Sequence, residues 1–237
     1  MKKAFTLAEI LITLGIIGVV AALTIPTMVQ RNTNEAHVQQ LKKAFATISN
    51  TFDGFLAENN AASLQDTYIN TPSGNIDKFL KENFKVSVDC GYTRGKPCFA
   101  DTYKNLNGDT VRIQNILSNG AYSASLADGT SMSMSEFFNN GMGGYIYINI
   151  DVNGQKGPNI IGRDFFSMAY VDGMKMAPDD HGYYAWVPAQ GGMLQDVWDS
   201  MIGTDRNLAL SYCSSTQNNY ATGCLKLIQL DGWKMDY

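Results

Sequence analysis

The chain has 237 residues, of which 45% are hydrophobic and only 17% are charged, whereas an average soluble domain carries about 25% charged residues. This length fits one large domain or one domain with an appendage, and the composition is too apolar for intrinsic disorder. The net charge is −4 and there is no basic block to attract nucleic-acid phosphates, so we expect no nucleic-acid partner.

The N-terminal segment, residues 5–28, is an apolar run whose only ionisable side chain is Glu9. As a helix it would extend about 36 Å at 1.5 Å per residue, which exceeds the hydrocarbon core of about 30 Å. Lys2 and Lys3 precede the run and place that end in the cytoplasm. The sequence therefore predicts a single-pass protein of the cytoplasmic membrane whose C-terminal domain is periplasmic or extracellular.

Three kinds of segment share this pattern: a cleaved secretory signal, an ordinary signal anchor, and a prepilin-type leader that is cut before the apolar run. Glu9 separates them, because a carboxylate within lipid costs up to about 3 kcal/mol and is usually functional. A signal peptide removed near Ala21 and Ala22 would have no use for it. Only the prepilin-type interpretation explains Glu9.

Residues 3–11, Lys-Ala-Phe-Thr-Leu-Ala-Glu-Ile-Leu, resemble the cleavage motif of type IV prepilins and type II secretion pseudopilins. The resemblance implies that residues 1–4 are a leader, that prepilin peptidase cuts between Ala4 and Phe5, and that the new Phe5 amine is methylated. The family usually has Gly where this chain has Ala4. Pro26 stands where related pilins often have a helix-kinking proline.

The resemblance also implies an assembly role for Glu9, which becomes the fifth residue of the mature chain. Lateral packing of many such helices removes lipid from around the carboxylate, and a buried carboxylate then needs a cationic partner. In the family the candidate partner is the α-amine of Phe5 in a neighbouring subunit. The alternative is a Glu in the first helical turn that is favoured only by the helix dipole.

Beyond the apolar run, large apolar residues recur with spacings of three and four: Val38, Leu41, Phe45, Ile48, Phe52 and Phe55. This spacing indicates an amphipathic helix, which we expect to continue to about Glu58. A coiled coil would need three or four sustained heptads, and the pattern stops at Asn59 and Asn60. In a pilin-like subunit this outer half would pack on a sheet.

The remaining sequence predicts a short helix and then strands. The helix contains Ile76, Phe79, Leu80 and Phe84, with Ser73 or Asn75 as its cap. Residues 122–126 and 130–134 flank Asp128-Gly129 and indicate a hairpin, residues 145–152 and 165–171 read as further strands, and Asp172-Gly173 indicates a second hairpin turn. A long helix followed by antiparallel strands predicts an α+β fold, with membrane segment 5–28 and one extracytoplasmic domain, 29–237.

Four cysteines lie in the part of the chain that we place in an oxidising compartment, which favours disulfides over metal binding or catalysis. Of the three possible pairings, sequence proximity favours Cys90 with Cys98 and Cys213 with Cys224. The second pair resembles the cysteine-closed loop near the C-terminus of many pilins. A zinc site is the alternative, but the spacings are not CxxC.

We do not expect an enzyme, because the candidate catalytic residues are few. Of the two histidines, His37 lies on the polar flank of the long helix and is most simply a solvated side chain. His181 follows Asp179-Asp180 and could be a base oriented by a carboxylate. However, no nucleophile, metal or phosphate motif accompanies it, so a loop histidine is the better interpretation.

A polar loop, residues 151–164, resembles a segment found in many pilin-like proteins with this N-terminal motif, as does the stretch 231–234. Some pseudopilins hold calcium in a loop of the sheet region. The resemblance therefore implies a calcium site with Asp151, Asn153 and Asp164 as ligands, since carboxylate and amide oxygens suit Ca²⁺. We expect no other cofactor.

Two cations within the same loop, Lys156 and Arg163, oppose calcium binding and could pair with the same carboxylates. The alternative structure is a Gly-Pro turn in which Asp151 and Asn153 bond to nearby backbone N–H groups.

Taken together, these features indicate a structural subunit of a type IV pilus or a type II secretion pseudopilus, assembled through its N-terminal helix into a filament or onto the cell surface. Its partners are then the membrane, the prepilin peptidase/methyltransferase and other pilin or pseudopilin subunits. The alternative is a membrane-anchored extracytoplasmic binding protein or enzyme that does not polymerise. A surface pilus, a secretion pseudopilus and a DNA-uptake fibre, and a major or minor subunit, all fit this pattern.

Overall fold

The computed structural model describes residues 6–70, 75–139, 143–172, 174–178, 184–188, 193–196, 203–214 and 223–237. The chain forms two units, Met1–Ala36 and His37–Tyr237. The first helix, α1, is Leu7–Glu58, so it begins in the first unit and ends in the second. Its end at Glu58 is where the apolar periodicity predicted it.

The first unit contains the apolar segment predicted for the membrane. An 18-residue window of α1 has a mean hydropathy of 2.3 and none of that window is buried. Among the described residues, α1 is the one helix that is long and apolar enough to cross a membrane. A signal sequence has the same properties, so the structure fits a single-pass membrane segment or a signal-like segment.

The second unit contains the other elements. Its further helices are α2 (Ile76–Asn83), α3 (Arg206–Ser214) and α4 (Cys224–Leu230). Its strands are β1 (Val86–Gly91), β2 (Thr102–Lys104), β3 (Thr110–Arg112), β4 (Tyr122–Leu126), β5 (Ser131–Asn139), β6 (Gly143–Asp151), β7 (Phe165–Asp172), β8 (Met174–Pro178), β9 (Tyr184–Pro188) and β10 (Met193–Asp196). The described part of the chain is therefore α+β, as predicted.

Six strands form one antiparallel sheet in the order β1-β4-β5-β6-β7-β10, and β2–β3 and β8–β9 form two small sheets. The hairpin predicted around Asp128-Gly129 is confirmed, because β4 pairs with β5 and Tyr122 lies opposite Met134. The hairpin predicted at residues 172–173 is wrong. Strand β7 pairs with β6 and β10, whereas β8 pairs with β9. The local turn preference of Asp-Gly is thus overridden by pairing between distant strands, and Gly173 itself lies outside the described residues.

The main core lies between residues 37–58 of α1 and one face of the six-stranded sheet. The predicted apolar stripe of the helix is buried except for Phe45, which is partly buried beside Trp233. The Phe52 ring stacks on Phe79 of α2 and on Tyr170 of β7, with ring centroids 4.8 and 4.3 Å apart. Such aromatic pairs contribute about 0.5–1.5 kcal/mol each beyond the energy of the area they bury. Phe52 therefore connects α1 both to the sheet and to α2.

Helix α2 confirms the predicted short helix, and its apolar residues Ile76, Phe79 and Leu80 are buried. Asn75 occupies the position before it, but the Asn75 amide donates to the Tyr68 carbonyl oxygen at 2.9 Å and does not cap the helix. Ser73, the other predicted cap, lies outside the described residues.

A second core contains Phe165, whereas its neighbour Phe166 belongs to the main core. Successive residues of a strand point to opposite faces of a sheet, so the second core lies on the face opposite α1. Tyr103 of β2 and Ile161 are buried in it. Val152 belongs to the main core, so the loop after β6 contacts both cores.

Candidate functional site

The N-terminus of α1 is closed by a reciprocal pair of hydrogen bonds between Thr6 and Glu9. The Glu9 backbone N–H donates to the Thr6 hydroxyl oxygen at 3.2 Å, and the Thr6 backbone N–H donates to Glu9 Oε2 at 2.8 Å. The Thr6 hydroxyl also donates to Glu9 Oε2 at 2.8 Å. This is a capping box, in which a Thr before the helix and a Glu three residues later satisfy each other's backbone N–H groups.

The capping box gives Glu9 a local role, which agrees with the alternative of a favoured Glu in the first turn. It also supplies hydrogen bonds to a carboxylate that stands among apolar neighbours, which lowers the cost of placing it near lipid. The predicted cleavage residues Ala4 and Phe5 lie outside the described residues. The cleavage and the assembly role of Glu9 therefore stay predictions.

The hydroxyl groups in the apolar half of α1 are also satisfied within the helix. Thr13 donates to the Glu9 carbonyl oxygen, and Thr24 donates to the Val20 carbonyl oxygen, both at 2.9 Å. A polar group without a partner costs several kcal/mol in hydrocarbon, and back-bonding of this kind avoids that cost. Pro26 lies inside α1, and the helix continues on both sides of it.

Asp151, at the start of the 151–164 loop, is fully buried and lies opposite Phe165 in the β6–β7 pair, on the sheet face that carries the second core. Its Oδ2 accepts a hydrogen bond from the Tyr103 hydroxyl at 2.5 Å, and its Oδ1 accepts the Asn153 backbone N–H at 3.1 Å. Burial, and to a smaller extent the charge of nearby Asp164, raise the pKa of Asp151 to about 8, although these hydrogen bonds oppose the shift.

Asp164, at the other end of the loop, is also fully buried. Its Oδ1 and Oδ2 accept the backbone N–H groups of Ile160 and Asn159 at 2.6 and 2.7 Å. Burial raises the pKa of Asp164 to about 6, and the backbone hydrogen bonds oppose that rise. The carboxylate thus closes the turn 159–164, and the Asp164 carbonyl oxygen accepts the Val152 N–H at 2.9 Å to tie the two ends of the loop together.

The three predicted calcium ligands therefore lie in one loop. The carboxylate oxygens of Asp151 and Asp164 already accept hydrogen bonds within the protein, whereas the Asn153 side-chain oxygen Oδ1 is buried without a hydrogen-bond partner. The Asn153 amide lies 3.3 Å from the Gly157 carbonyl oxygen and 3.3 Å from His37 Nε2. Over the ranges that the structure describes, no group of three His, Cys, Asp or Glu residues is placed to hold a metal ion. Asp151 accepts a backbone N–H as the alternative turn predicted, whereas the Asn153 side chain donates to the Gly157 carbonyl oxygen and accepts no backbone N–H. The calcium site stays a prediction.

His37 was expected to be solvated, and this expectation is wrong because its side chain is only 6% exposed. It packs beside Asn153, and burial lowers its pKa; a hydrogen bond with the Arg163 backbone opposes the decrease and the Arg163 charge adds to it. His37 lies four residues before Leu41, so the helical period of the apolar stripe could have revealed its burial. His181 lies outside the described residues.

The cysteines form the two bridges that sequence proximity favoured, Cys90–Cys98 and Cys213–Cys224. The first closes the segment after β1, and the second joins α3 to the first residue of α4. Disulfides of this kind fit a domain in an oxidising compartment.

Three residues that the sequence did not single out also belong to the loop site: Tyr103, Gly162 and Tyr237. Tyr103 holds Asp151, as described above. Tyr237 donates its hydroxyl to the Gly162 carbonyl oxygen at 2.5 Å, and Arg163 Nη2 donates to the Tyr237 carbonyl oxygen at 2.8 Å. Arg163, which was expected to oppose calcium binding, thus fastens Tyr237 to the loop.

No family model matches the chain, and no match is found among curated proteins or solved structures.

Proposed function

We propose that this chain is a structural subunit of a type IV pilus or a type II secretion pseudopilus, which assembles through the N-terminal half of α1. The observation that carries the proposal is Glu9, the single ionisable residue of the exposed apolar run 5–28, which stands within a prepilin-type sequence. An anchor that only holds a domain at the membrane would use this carboxylate only to cap its helix. A subunit that packs against other helices can use it to set their register.

The surface of the apolar half of α1 supports this proposal. Its large side chains are exposed, including Leu11, Ile16 and Val19. At Gly15 and Gly18 an added Cβ would meet no atom within 4 Å, so the fold of the chain itself does not require glycine at either position. Small residues let helix backbones approach closely within a membrane. Gly15 and Gly18 would therefore allow a neighbouring helix to pack closely against α1.

The helix also has the architecture that a filament subunit needs. In its second half the stripe from Val38 to Phe55 is fixed in the domain core, while the first half leaves its apolar surface available. In a subunit of this design, the N-terminal half of α1 can pack into a filament while the disulfide-bonded domain stays folded.

The decisive experiment is mass spectrometry of the mature protein. We expect an N-terminus at Phe5 that carries a methyl group on its amine, with residues 1–4 removed. An intact Met1, or an N-terminus near Leu23, would reject the proposal.

Immunogold labelling of sheared filaments tests polymerisation separately. We expect label along filaments. Label that is confined to the membrane of a protein processed at Phe5 would instead support an anchored protein that does not polymerise.

A further inference from the structure

A single glycine of the 151–164 loop touches the buried disulfide Cys213–Cys224. Gly162 has φ +86°, and a Cβ at this position would lie 2.7 Å from Cys224 Sγ and 3.2 Å from Cys213 Sγ. Both distances are shorter than ordinary van der Waals contact between carbon and sulfur, so only glycine fits without displacing the bridge. The positive φ disfavours any other residue as well. The bridge and the turn at 160–164 are therefore packed as one unit.

The same turn is held from the other side by residues near the end of the chain. Besides the hydrogen bonds of Tyr237 with Gly162 and Arg163, the Arg163 guanidinium lies 6.0 Å from the centre of the Tyr237 ring. Arg163 Nη1 also contacts Met235 Sδ at 4.0 Å. Residues 235–237 follow α4, and the disulfide fastens the first residue of α4 to α3. Tyr237 is thus connected to the bridge through Gly162 as well as along the α4 backbone.

The turn is connected in the opposite direction to α1 and to the second core. The Asp164 carbonyl oxygen binds Val152, and Asn153 follows directly and contacts His37 of α1. Ile161 donates its N–H to the Lys104 carbonyl oxygen at 2.8 Å. A displacement at Gly162 therefore reaches the strand pair β2–β3 and the packing of His37 through a few direct contacts.

From these contacts we infer that the Cys213–Cys224 disulfide is a redox-controlled lock on the turn at 160–164. With the bridge closed, its two sulfurs fit under Gly162. When the bridge opens, the two thiols repel to nonbonded contact and need more room than the glycine leaves, and α4 loses its tether to α3. The turn at 160–164 then shifts and loses its hydrogen bond with Tyr237, whereas α4 keeps Leu225, Leu227 and Ile228 buried in the main core.

Opening requires a dithiol reductant. Its thiolate attacks one sulfur of the bridge to form a mixed disulfide, and its second thiol then displaces that cysteine. Both cysteines end as thiols and the reductant ends as its own disulfide, so two electrons and two protons pass to the protein.

The first test compares reduction rates of the two bridges in the full chain, with dithiothreitol as the probe and mass spectrometry after alkylation as the readout. Cys90–Cys98 serves as the reference within each molecule. In Gly162→Ala the added methyl group displaces the bridge, so we expect Cys213–Cys224 to be reduced at least about tenfold faster relative to Cys90–Cys98, since exchange rates follow access and strain.

The matched control is Gly154→Ala. Gly154 lies in the same loop, has φ +69° and is equally crowded, but its added Cβ would meet the Gly129 carbonyl oxygen at 2.9 Å and not the disulfide. We expect the relative reduction rate of Gly154→Ala to stay within about twofold of the wild type. An unchanged rate in Gly162→Ala, or equal acceleration in both variants, would overturn the lock.

A second measurement keeps the inference testable if Gly162→Ala does not fold. Hydrogen exchange of the double variant Cys213→Ala with Cys224→Ala should show at least about tenfold faster exchange of the amides at 160–164, because local opening exposes them. The paired amides of the β4–β5 hairpin should keep their protection. Retained protection at 160–164, or equal loss in the hairpin, would show that the bridge does not control the turn.

Discussion

The Tyr103 hydroxyl donates a hydrogen bond to Asp151 Oδ2 at 2.5 Å, and both side chains are buried on the sheet face opposite α1. The contact joins residues that lie 48 positions apart in the chain. Asp151 is in turn close enough to Asp164 for the charge of one carboxylate to raise the pKa of the other. The loop after β6 is therefore held by a group whose protonation changes near neutral pH.

We expect the free energy of unfolding to fall as the pH rises from 7 to 8. The pKa of Asp151 is about 8 in the folded chain and about 3.9 when unfolded, so the folded chain binds more protons in this range and loses stability as they leave. The loss is at most about 1.4 kcal/mol per pH unit. The raised pKa of Asp164, about 6, acts at lower pH, and the lowered pKa of His37 costs stability only in acid.

Asp151→Asn is the variant that tests this dependence, because an amide resembles the protonated acid and can still pair with Tyr103. Denaturant unfolding of the full chain should show a flatter stability profile between pH 7 and 8 for this variant. Asp109→Asn, at an exposed hairpin residue, is the control and should retain the wild-type slope. Equal slopes in all three proteins would contradict the prediction.

The stack of Phe52 between Phe79 and Tyr170 predicts a large cost for its removal. Phe52→Ala should lower the free energy of unfolding by about 3–5 kcal/mol, the usual range for a fully buried Phe. Phe45→Ala is the control on the same helical stripe, and it should cost clearly less because Phe45 is only partly buried beside Trp233. Denaturant unfolding measures both values, and similar costs for the two variants would contradict this account of the core.

The parts of the structure that follow from local sequence patterns could be predicted. The end of α1, the helix α2 and the β4–β5 hairpin each depend on periodicity or turn residues within one segment. The pairing of the disulfides could also be predicted, since each bridge joins two cysteines that are close in sequence. The burial of His37 was indicated by its position four residues before Leu41 in the helical period. The polarity of its side chain instead favoured the wrong prediction of a solvated residue.

The loop site depends on contacts between distant segments, and no local pattern contains them. Tyr103 reaches Asp151 only because β2 is placed over the sheet face opposite α1. Gly162 meets the Cys213–Cys224 bridge only because the loop after β6 returns beside α3 and α4. The order of the strands in the sheet determines both contacts. The wrong prediction of a hairpin at residues 172–173 shows that turn residues alone do not determine strand order.

Calcium binding is testable by thermal unfolding of the full chain with and without calcium. If Asp151, Asn153 and Asp164 bind the ion, calcium at about 100 times Kd should add about 2.7 kcal/mol to the stability of the domain. Asp164→Asn should abolish the increase, and the exposed Asp109→Asn should leave it intact. The absence of a shift at millimolar calcium would reject the site and leave the carboxylates as the hydrogen-bond acceptors that close the loop.

Glu9 has two candidate roles, the capping of α1 with Thr6 and the pairing with an amine of a neighbouring subunit, and three variants separate them. Glu9→Leu removes both and should leave membrane insertion intact, because it removes a charge from the apolar run, while it lowers filament incorporation at least about tenfold. Glu9→Gln keeps the capping box, in which Gln is accepted, but has no charge. Thr6→Val keeps the charge and loses the hydroxyl. Immunoblots of sheared filaments, normalised to the membrane-inserted subunit, measure incorporation.

If charge pairing drives assembly, Glu9→Gln should fail as Glu9→Leu does, because a neutral amide does not compensate a buried amine. Thr6→Val should then retain most of its incorporation, since loss of a capping hydroxyl costs only about 1 kcal/mol and the tertiary packing of residues 37–58 maintains the helix. If capping is the essential role, the order reverses: Glu9→Gln assembles normally and Thr6→Val does not. Normal incorporation of Glu9→Leu would contradict both roles, and the apolar helix would then assemble by packing alone.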